Sequence, residues 1–174
     1  TSDPVVAQIL LDSGFTAIAG VQFPTNALDT KSDGIDIVAN YRMLAGNGTF
    51  DFSFAFNYAK NKITRVSPLP AILQGTPTSY TSALDIVTIN AIERNRPDRR
   101  SSFTTNYSLG RFHAMARASD FGSFVDGSLD GLETFSAKML LDGELGYRFQ
   151  AVNISIGARN LMNVYPDQVQ VSDN

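Results

Sequence analysis

The sequence predicts an all-β fold, an antiparallel meander of about six to seven strands. Three observations carry that prediction: alternation of apolar and polar residues, a run of aromatics at every second position, and connectors that alternate between very short and long. In residues 49–58, TFDFSFAFNY, the residues Phe50, Phe52, Phe54, Phe56 and Tyr58 fall on one face and Asp51, Ser53, Ala55 and Asn57 on the other. A helix would scatter those side chains around its axis, whereas a strand aligns them. So dense an aromatic face must meet a protein core or lipid.

The same period recurs along the chain. In residues 35–43, Ile35, Ile37, Ala39, Tyr41 and Met43 oppose Asp36, Val38, Asn40 and Arg42. Residues 101–109 alternate more weakly, anchored by Phe103 and Tyr107. In 112–120, Phe112, Ala114, Ala116 and Ala118 oppose His113, Met115, Arg117 and Ser119. In 139–149, Met139, Leu141, Gly143, Leu145, Tyr147 and Phe149 oppose Leu140, Asp142, Glu144, Gly146 and Arg148. In 152–159, Val152, Ile154, Ile156 and Ala158 oppose Asn153, Ser155, Gly157 and Arg159. The resulting strands are 16–43, 49–62, 99–109, 111–121, 135–149 and 151–161, with a helical turn at 4–13 inside an outer loop of residues 1–15 and an extended stretch at 16–26.

Composition bounds the function. The chain has 174 residues, a formal charge of −3 and a pI near 5.0, so no basic surface suggests nucleic acid. Charged residues are only 18%. Cysteine is absent, which excludes disulfides, thiolate metal sites and cysteine nucleophiles, and a single His leaves little for imidazole metal sites. The first residues lack the pattern of a signal peptide. No run is long and apolar enough for a membrane-spanning helix, but a barrel strand needs only about 9–11 residues with alternate apolar positions.

The connectors decide between a soluble sheet and a barrel wall. Three are tight, at residues 44–48, around Gly110 and at 150–151; the others, at 63–98, 122–134 and after Asn160, are long. Short turns gathered at one end and long loops at the other are the habit of a large transmembrane β-barrel. On that reading the polar side chains Arg117, Asp142, Glu144, Arg148 and Arg159 face a wet lumen. Six strands fall short of the roughly eight that closure needs, and the sequence stops in polar residues at 168–174, so the chain is expected to be part of a longer barrel.

Four stretches then match, in order, a known family. Residues 23–40 (FPTNALDTKSDGIDIVAN) resemble a strand found in TonB-dependent outer-membrane receptors, through Phe23, Asn26, Gly34, Ile35, Asp36 and Ile37, with Pro24 and Asp33 as departures. Residues 48–62 resemble that family's next strand, and 94–100 (RNRPDRR) the start of the following one. Residues 145–167 resemble its penultimate hairpin, through Gly157, Asn160, Leu161, Asn163, Tyr165 and Pro166; the strand after it is missing. The resemblance implies the C-terminal portion of a barrel of about 22 strands, plugged by an N-terminal domain. It implies active uptake of a bulky nutrient (siderophore, vitamin, haem or glycan) energised by the TonB–ExbB–ExbD complex. The partners it implies are outer-membrane lipid and lipopolysaccharide, the rest of the barrel and its plug, and the TonB complex through an absent N-terminal part. It implies no enzyme, no catalytic residue and no cofactor.

Chemistry-bearing clusters each have a plain structural reading beside the functional one. Arg94, Arg96, Arg99 and Arg100 are suited to lipopolysaccharide phosphate or an anionic substrate, or are solvated charge balanced by Glu93 and Asp98. Asp126, Ser128 and Asp130 are spaced like the start of a calcium loop, but Ala137 stands where the bidentate Glu belongs, and a Gly/Asp-rich surface turn explains them. Asp142 and Glu144, roughly 7 Å apart by strand rise, could pair for acid–base work. Lys138 and Arg148 in the same row read instead as a charged lumen ladder, and His113 as one more lumen residue. No metal site is expected. Two alternatives stay open: a soluble β-sandwich binding domain, with carbohydrate as one candidate ligand and Phe50, Phe52, Phe54 and Phe56 as its core, and another barrel type such as a porin or autotransporter domain. An isolated fragment is expected to pair its open edges between copies, or to collapse so that its apolar face is covered.

Overall fold

The computed structural model describes residues 4–14, 26, 28–68, 86–128 and 131–169. In chain order the elements are α1 (Pro4–Asp12), β1 (Leu28–Ala45), β2 (Gly48–Val66), α2 (Ile86–Glu93), β3 (Arg99–Leu109), β4 (Phe112–Phe121), β5 (Phe124–Ser128), β6 (Gly131–Phe135), β7 (Lys138–Phe149) and β8 (Val152–Ala158). Six strands make one antiparallel meander, β1-β2-β3-β4-β7-β8, while β5 and β6 form a separate hairpin. The fold is therefore all-β and antiparallel. The large sheet is open: among the described residues no ladder joins β1 to β8.

Register confirms the two-faced reading strand by strand. Cross-strand partners point to the same side of a sheet, and the partners run Met43–Phe50–Tyr107–Ala114–Leu145–Ile156 across all six strands. The next row toward the loop end is Tyr41–Phe52–Thr105–Ala116–Gly143–Ala158, and the next Ala39–Phe54–Phe103–Ala118–Leu141. Every apolar set found by alternation thus lands on one side. A slip of one residue in any strand would have turned its set to the other face. Rings pack along this side: Phe50 and Phe52 stack with centroids 5.7 Å apart, Phe50 meets Tyr107 at 4.5 Å, and Phe52 meets Phe103 at 6.0 Å.

The three tight turns are Gly46–Asn47, Gly110–Arg111 and Gln150–Ala151, all at the same end of the sheet. Each starts with a residue at positive φ, 60° at Gly46, 56° at Gly110 and 44° at Gln150, as two-residue hairpin turns require.

Several boundaries differ from the sequence reading. The strand expected over 16–43 is seen as Leu28–Ala45, and most of the extended stretch at 16–26 lies outside the described residues. The strand expected over 49–62 runs on to Val66, because its ladder with β1 continues through Asp33↔Lys60 to Leu28↔Val66 after the apolar alternation has ended. The loop expected over 63–98 therefore holds the end of β2, and it also holds α2, whose sequence IVTINAIE is rich in β-branched residues and carries no helical period. The loop expected over 122–134 is the β5–β6 hairpin, fastened by Phe124 stacked on Phe135 at 4.8 Å. The last two strands are shorter than expected, Lys138–Phe149 against 135–149 and Val152–Ala158 against 151–161. The helical turn expected near the start is α1, begun by Pro4 at the one position where a missing N–H costs nothing.

The long loop also repairs an edge. Beyond Tyr58, β2 has no partner in β3, and α2 with its flanks lies there instead. Ala59 N–H donates to the Asp98 carbonyl at 2.8 Å and Ile63 N–H to Glu93 Oε1 at 2.7 Å, so the open edge is partly satisfied. The buried core is small: among the described residues only Val125 and Phe135 are buried apolar side chains, both in the hairpin. The apolar side of the main sheet is not covered, with Tyr41 66% and Ile156 77% exposed, so the sheet has neither collapsed over that face nor closed its edges within one chain.

Candidate functional site

The side of the sheet opposite the aromatics carries the polar chemistry. Rows run Arg42–Asp51–Asn106–Met115–Glu144–Gly157 and Asn40–Ser53–Thr104–Arg117–Asp142 across it. Opposite charges meet as cross-strand neighbours: Arg42 Nε donates to Asp51 Oδ1 at 2.5 Å, and Arg117 stands opposite Asp142. Asn57 Nδ2 donates to Asp36 Oδ1 at 2.6 Å, and Arg117 Nε to Thr104 Oγ1 at 3.3 Å. A hollow of about 320 Å³ spans four strands on this side, lined by Asp36, Val38, Ala55, Asn57, Arg100, Ser102, Ser119 and Phe121 among others.

Of the residues expected on a common polar face, Arg117, Asp142, Glu144 and Arg148 share it. Arg159 follows the end of β8 at Ala158 and stands exposed in a bend, outside the β7–β8 ladder. Asp142 and Glu144 do not act as a pair. Asp142 Oδ1 accepts the Asn160 N–H at 3.0 Å, and Glu144 Oε1 lies 3.8 Å from His113 Nε2. The His113 ring lies across Gly146, where a Cβ would come within 2.1 Å of it, so the glycine makes room for the imidazole.

The arginine cluster divides. Successive strand residues point to opposite sides, so Arg99 joins the apolar side beside Tyr58, 3.8 Å from Asp120, while Arg100 joins the polar side beside Asn57. Arg94 and Arg96 precede the strand and line a hollow of about 170 Å³ with Asp98, Ser123, Phe124, Val125 and Thr134. The floor of that hollow is anchored by α2: Val125 N–H donates to the Arg94 carbonyl at 3.0 Å, and Asn90 Nδ2 to the Val125 carbonyl at 2.9 Å. Asn90 is buried, and nothing in its own stretch of sequence marks it as an anchor.

Of the residues spaced like the start of a calcium loop, Asp126 and Ser128 lie in β5. Asp126 pairs across the hairpin with Glu133, its carboxylate accepts the Gly127 N–H at 2.9 Å, and Asp130 lies outside the described residues.

The segment after β8 is fixed by directed bonds to the polar side. Asn160 and Asn163 both take φ of 53°, a region Asn tolerates better than most residues. The Asn160 amide accepts the Val164 N–H at 2.9 Å and donates to the Val164 carbonyl at 2.8 Å, closing the loop on itself. Asp167 then accepts from Lys138 Nζ, the Ser136 hydroxyl and the Ser136 N–H. Those bonds, the Lys138 ammonium first, hold the Asp167 carboxyl well below its ordinary range. Together with Pro97, Phe121, Phe124 and Phe135, Tyr165 and Pro166 enclose a second hollow of about 260 Å³ beside the first.

No family model, curated protein or solved structure matches the chain.

Proposed function

We propose that this chain is a wall segment of a TonB-dependent outer-membrane receptor, contributing barrel wall and outer loops to the active uptake of a bulky nutrient. One observation carries the reading: the registered apolar side is continuous over six strands, exposed, and free of charge in the four rows nearest the tight turns. From the Ala45–Gly48 row to the Ala39–Phe54 row, six residue steps, the band carries no charge in any strand; on β1 and β2 it runs on to Ile35–Tyr58, ten steps in all, where β3 and β4 bring Arg99 and Asp120 to the same side. At a rise of roughly 3.3 Å per residue and a tilt of about 40°, ten steps on β1 and β2 measure about 25 Å across the membrane, the height of the apolar band of such barrels, of which about 15 Å is charge-free in every strand. Above it the same side of β1 and β2 turns to Asp33, Lys31, Lys60 and Lys62, as suits strands rising into water.

The two ends support an orientation. The tight turns belong on the periplasmic side, and α2, the β5–β6 hairpin and the segment after β8 on the outer side. The free edges of β1 and β8 would each take a further strand of the same barrel, which removes the exposed backbone that an open sheet leaves. The ordered motifs of the family support the assignment to this receptor class, and the plug and the TonB complex are its partners on this reading.

The absence of cysteine makes the test clean. In outer-membrane preparations, single cysteines replacing Ala118 and Ser119 should differ: the first reacts only with a lipid-soluble maleimide, the second with a membrane-impermeant one. Equal labelling from water, or recovery in the soluble fraction, would sink the wall reading in favour of a soluble sheet. Nutrient uptake that survives collapse of the proton gradient would remove the receptor assignment.

A further inference from the structure

The loop end of the sheet holds two hollows that meet at Phe124. The polar one, about 170 Å³, is lined by Arg94 and Arg96, both exposed, with Ser123 and Thr134, and Asp98 is the one acidic residue in its lining. Nearby acids that could have neutralised the arginines are used elsewhere. Glu93 accepts the Ile63 N–H, and Asp120 faces Arg99. Neither Arg94 nor Arg96 forms an ion pair among the described residues. At roughly 30 Å³ per water, the hollow has the size of about five or six waters, which is that of one hydrated oxyanion.

The second hollow, about 260 Å³, is apolar and walled by rings: Phe121, Phe124, Phe135 and Tyr165. It opens on the polar side of the sheet, since Phe121 shares its row with Arg100 and Lys138. Aromatic walls favour a flat apolar body, and planar guanidiniums favour a phosphate or carboxylate held by two parallel bonds.

We infer that the rim binds an oxyanion carried on a ring-sized apolar body, with the anion held by Arg94 and Arg96 and the body lodged against Phe124 and its neighbouring rings. The α2 anchor explains the placement: Asn90 and the Arg94 carbonyl both bond to Val125, which fixes the hairpin beside the arginines. The same chemistry could come from a lipid headgroup or from a soluble ligand. The apolar hollow lies on the polar side, which the wall reading places toward the lumen, and this favours the soluble ligand. That choice rests on the wall reading, whereas anion binding itself does not.

Calorimetry on the membrane-extracted protein in micelles tests the site with phenyl phosphate, inorganic phosphate, benzyl alcohol and short-chain phosphatidylglycerol. Phenyl phosphate should bind at least about tenfold more tightly than inorganic phosphate or benzyl alcohol. The double variant Arg94→Gln/Arg96→Gln should lose at least about tenfold of that affinity, the loss expected for a charge-assisted hydrogen bond. Phenyl phosphate binding no tighter than inorganic phosphate, or unchanged in the double variant, overturns the proposal. Tighter, arginine-dependent binding of phosphatidylglycerol overturns the soluble ligand and assigns the arginines to a headgroup. The labelling of positions 118 and 119 reports separately on the wall, so a failed site and a failed wall give different results.

Discussion

The two faces of the six-stranded sheet are built from alternate residues of the same strands, yet they answer to different surroundings. On one, the four rows from Ala45 to Ala39 contain no charge in any strand; on the other, the matching positions include Arg42, Asp51, Arg117, Asp142 and Glu144. The apolar face makes contact through rings and methyl groups, and Leu161, after β8, lies over Gly143 on it. The polar face is tied by directed bonds, among its own strands and to the segment after β8. The difference teaches that a strand separates two kinds of surface at a spacing of one residue. The sheet encloses no core of its own: among the described residues, Val125 and Phe135 of the β5–β6 hairpin are the only buried apolar side chains.

The largest effect should come from breaking that contrast directly. Ala118 and Ser119 are adjacent in β4 and face opposite sides. Ala118→Arg, in the uncharged row nearest the loops, should cost about 2–4 kcal/mol in denaturant unfolding from lipid, whereas Ser119→Arg should stay within about 0.5 kcal/mol. Similar losses at both positions would mean that the two faces are not in different media.

A smaller effect sharpens what the polar face does. Asn160→Ala removes both amide bonds to Val164 and leaves those backbone groups without their partner. The loss should be about 1–2 kcal/mol, confined to the segment after β8 and read as faster amide exchange at Val164 while the β3 and β4 amides keep their protection. Uniformly faster exchange would show that the segment is part of the sheet's own stability.

The smallest effect concerns acid. The folded carboxyl of Asp167 is held below its ordinary value of 3.8 by Lys138 and Ser136, so its contribution is complete above about pH 4 and fades as the pH falls below that. Protease cutting within 160–169 should therefore rise on acidification below pH 4 in the native chain, while Asp167→Asn should show raised cutting at neutral pH with little further change. The comparison holds if acid loosens this segment before the charge-free face is affected.

How much could be read beforehand differs by region. The strands, their faces and the three tight turns were legible because each is a local property: period 2 places side chains, and Gly46 and Gly110 mark positive φ. The rim was not. α2 falls in a stretch expected to be loop, since its β-branched residues carry no helical period, and it is a helix where Glu93 and Asn90 meet β2 and β5, partners some 30 residues away. The cluster Arg94–Arg100 looked like one basic patch. The pleat sends Arg99 and Arg100 apart, and only Arg94 and Arg96 reach a common hollow. Asp167 went unnoticed because its partners, Lys138 and Ser136, come from the far end of β7.

Alternation by itself determined that this chain makes two-faced strands, and connector length determined which ends lie together. Tertiary structure decided the rest: that six registers agree, so that separate apolar stripes become one continuous face, and that the loops fold back to seal an edge and build the rim. The physical reason is range. A side chain's face is set by its own residue's place in the pleat, whereas register, edge repair and the gathering of donors depend on ladders and bonds between residues far apart in sequence.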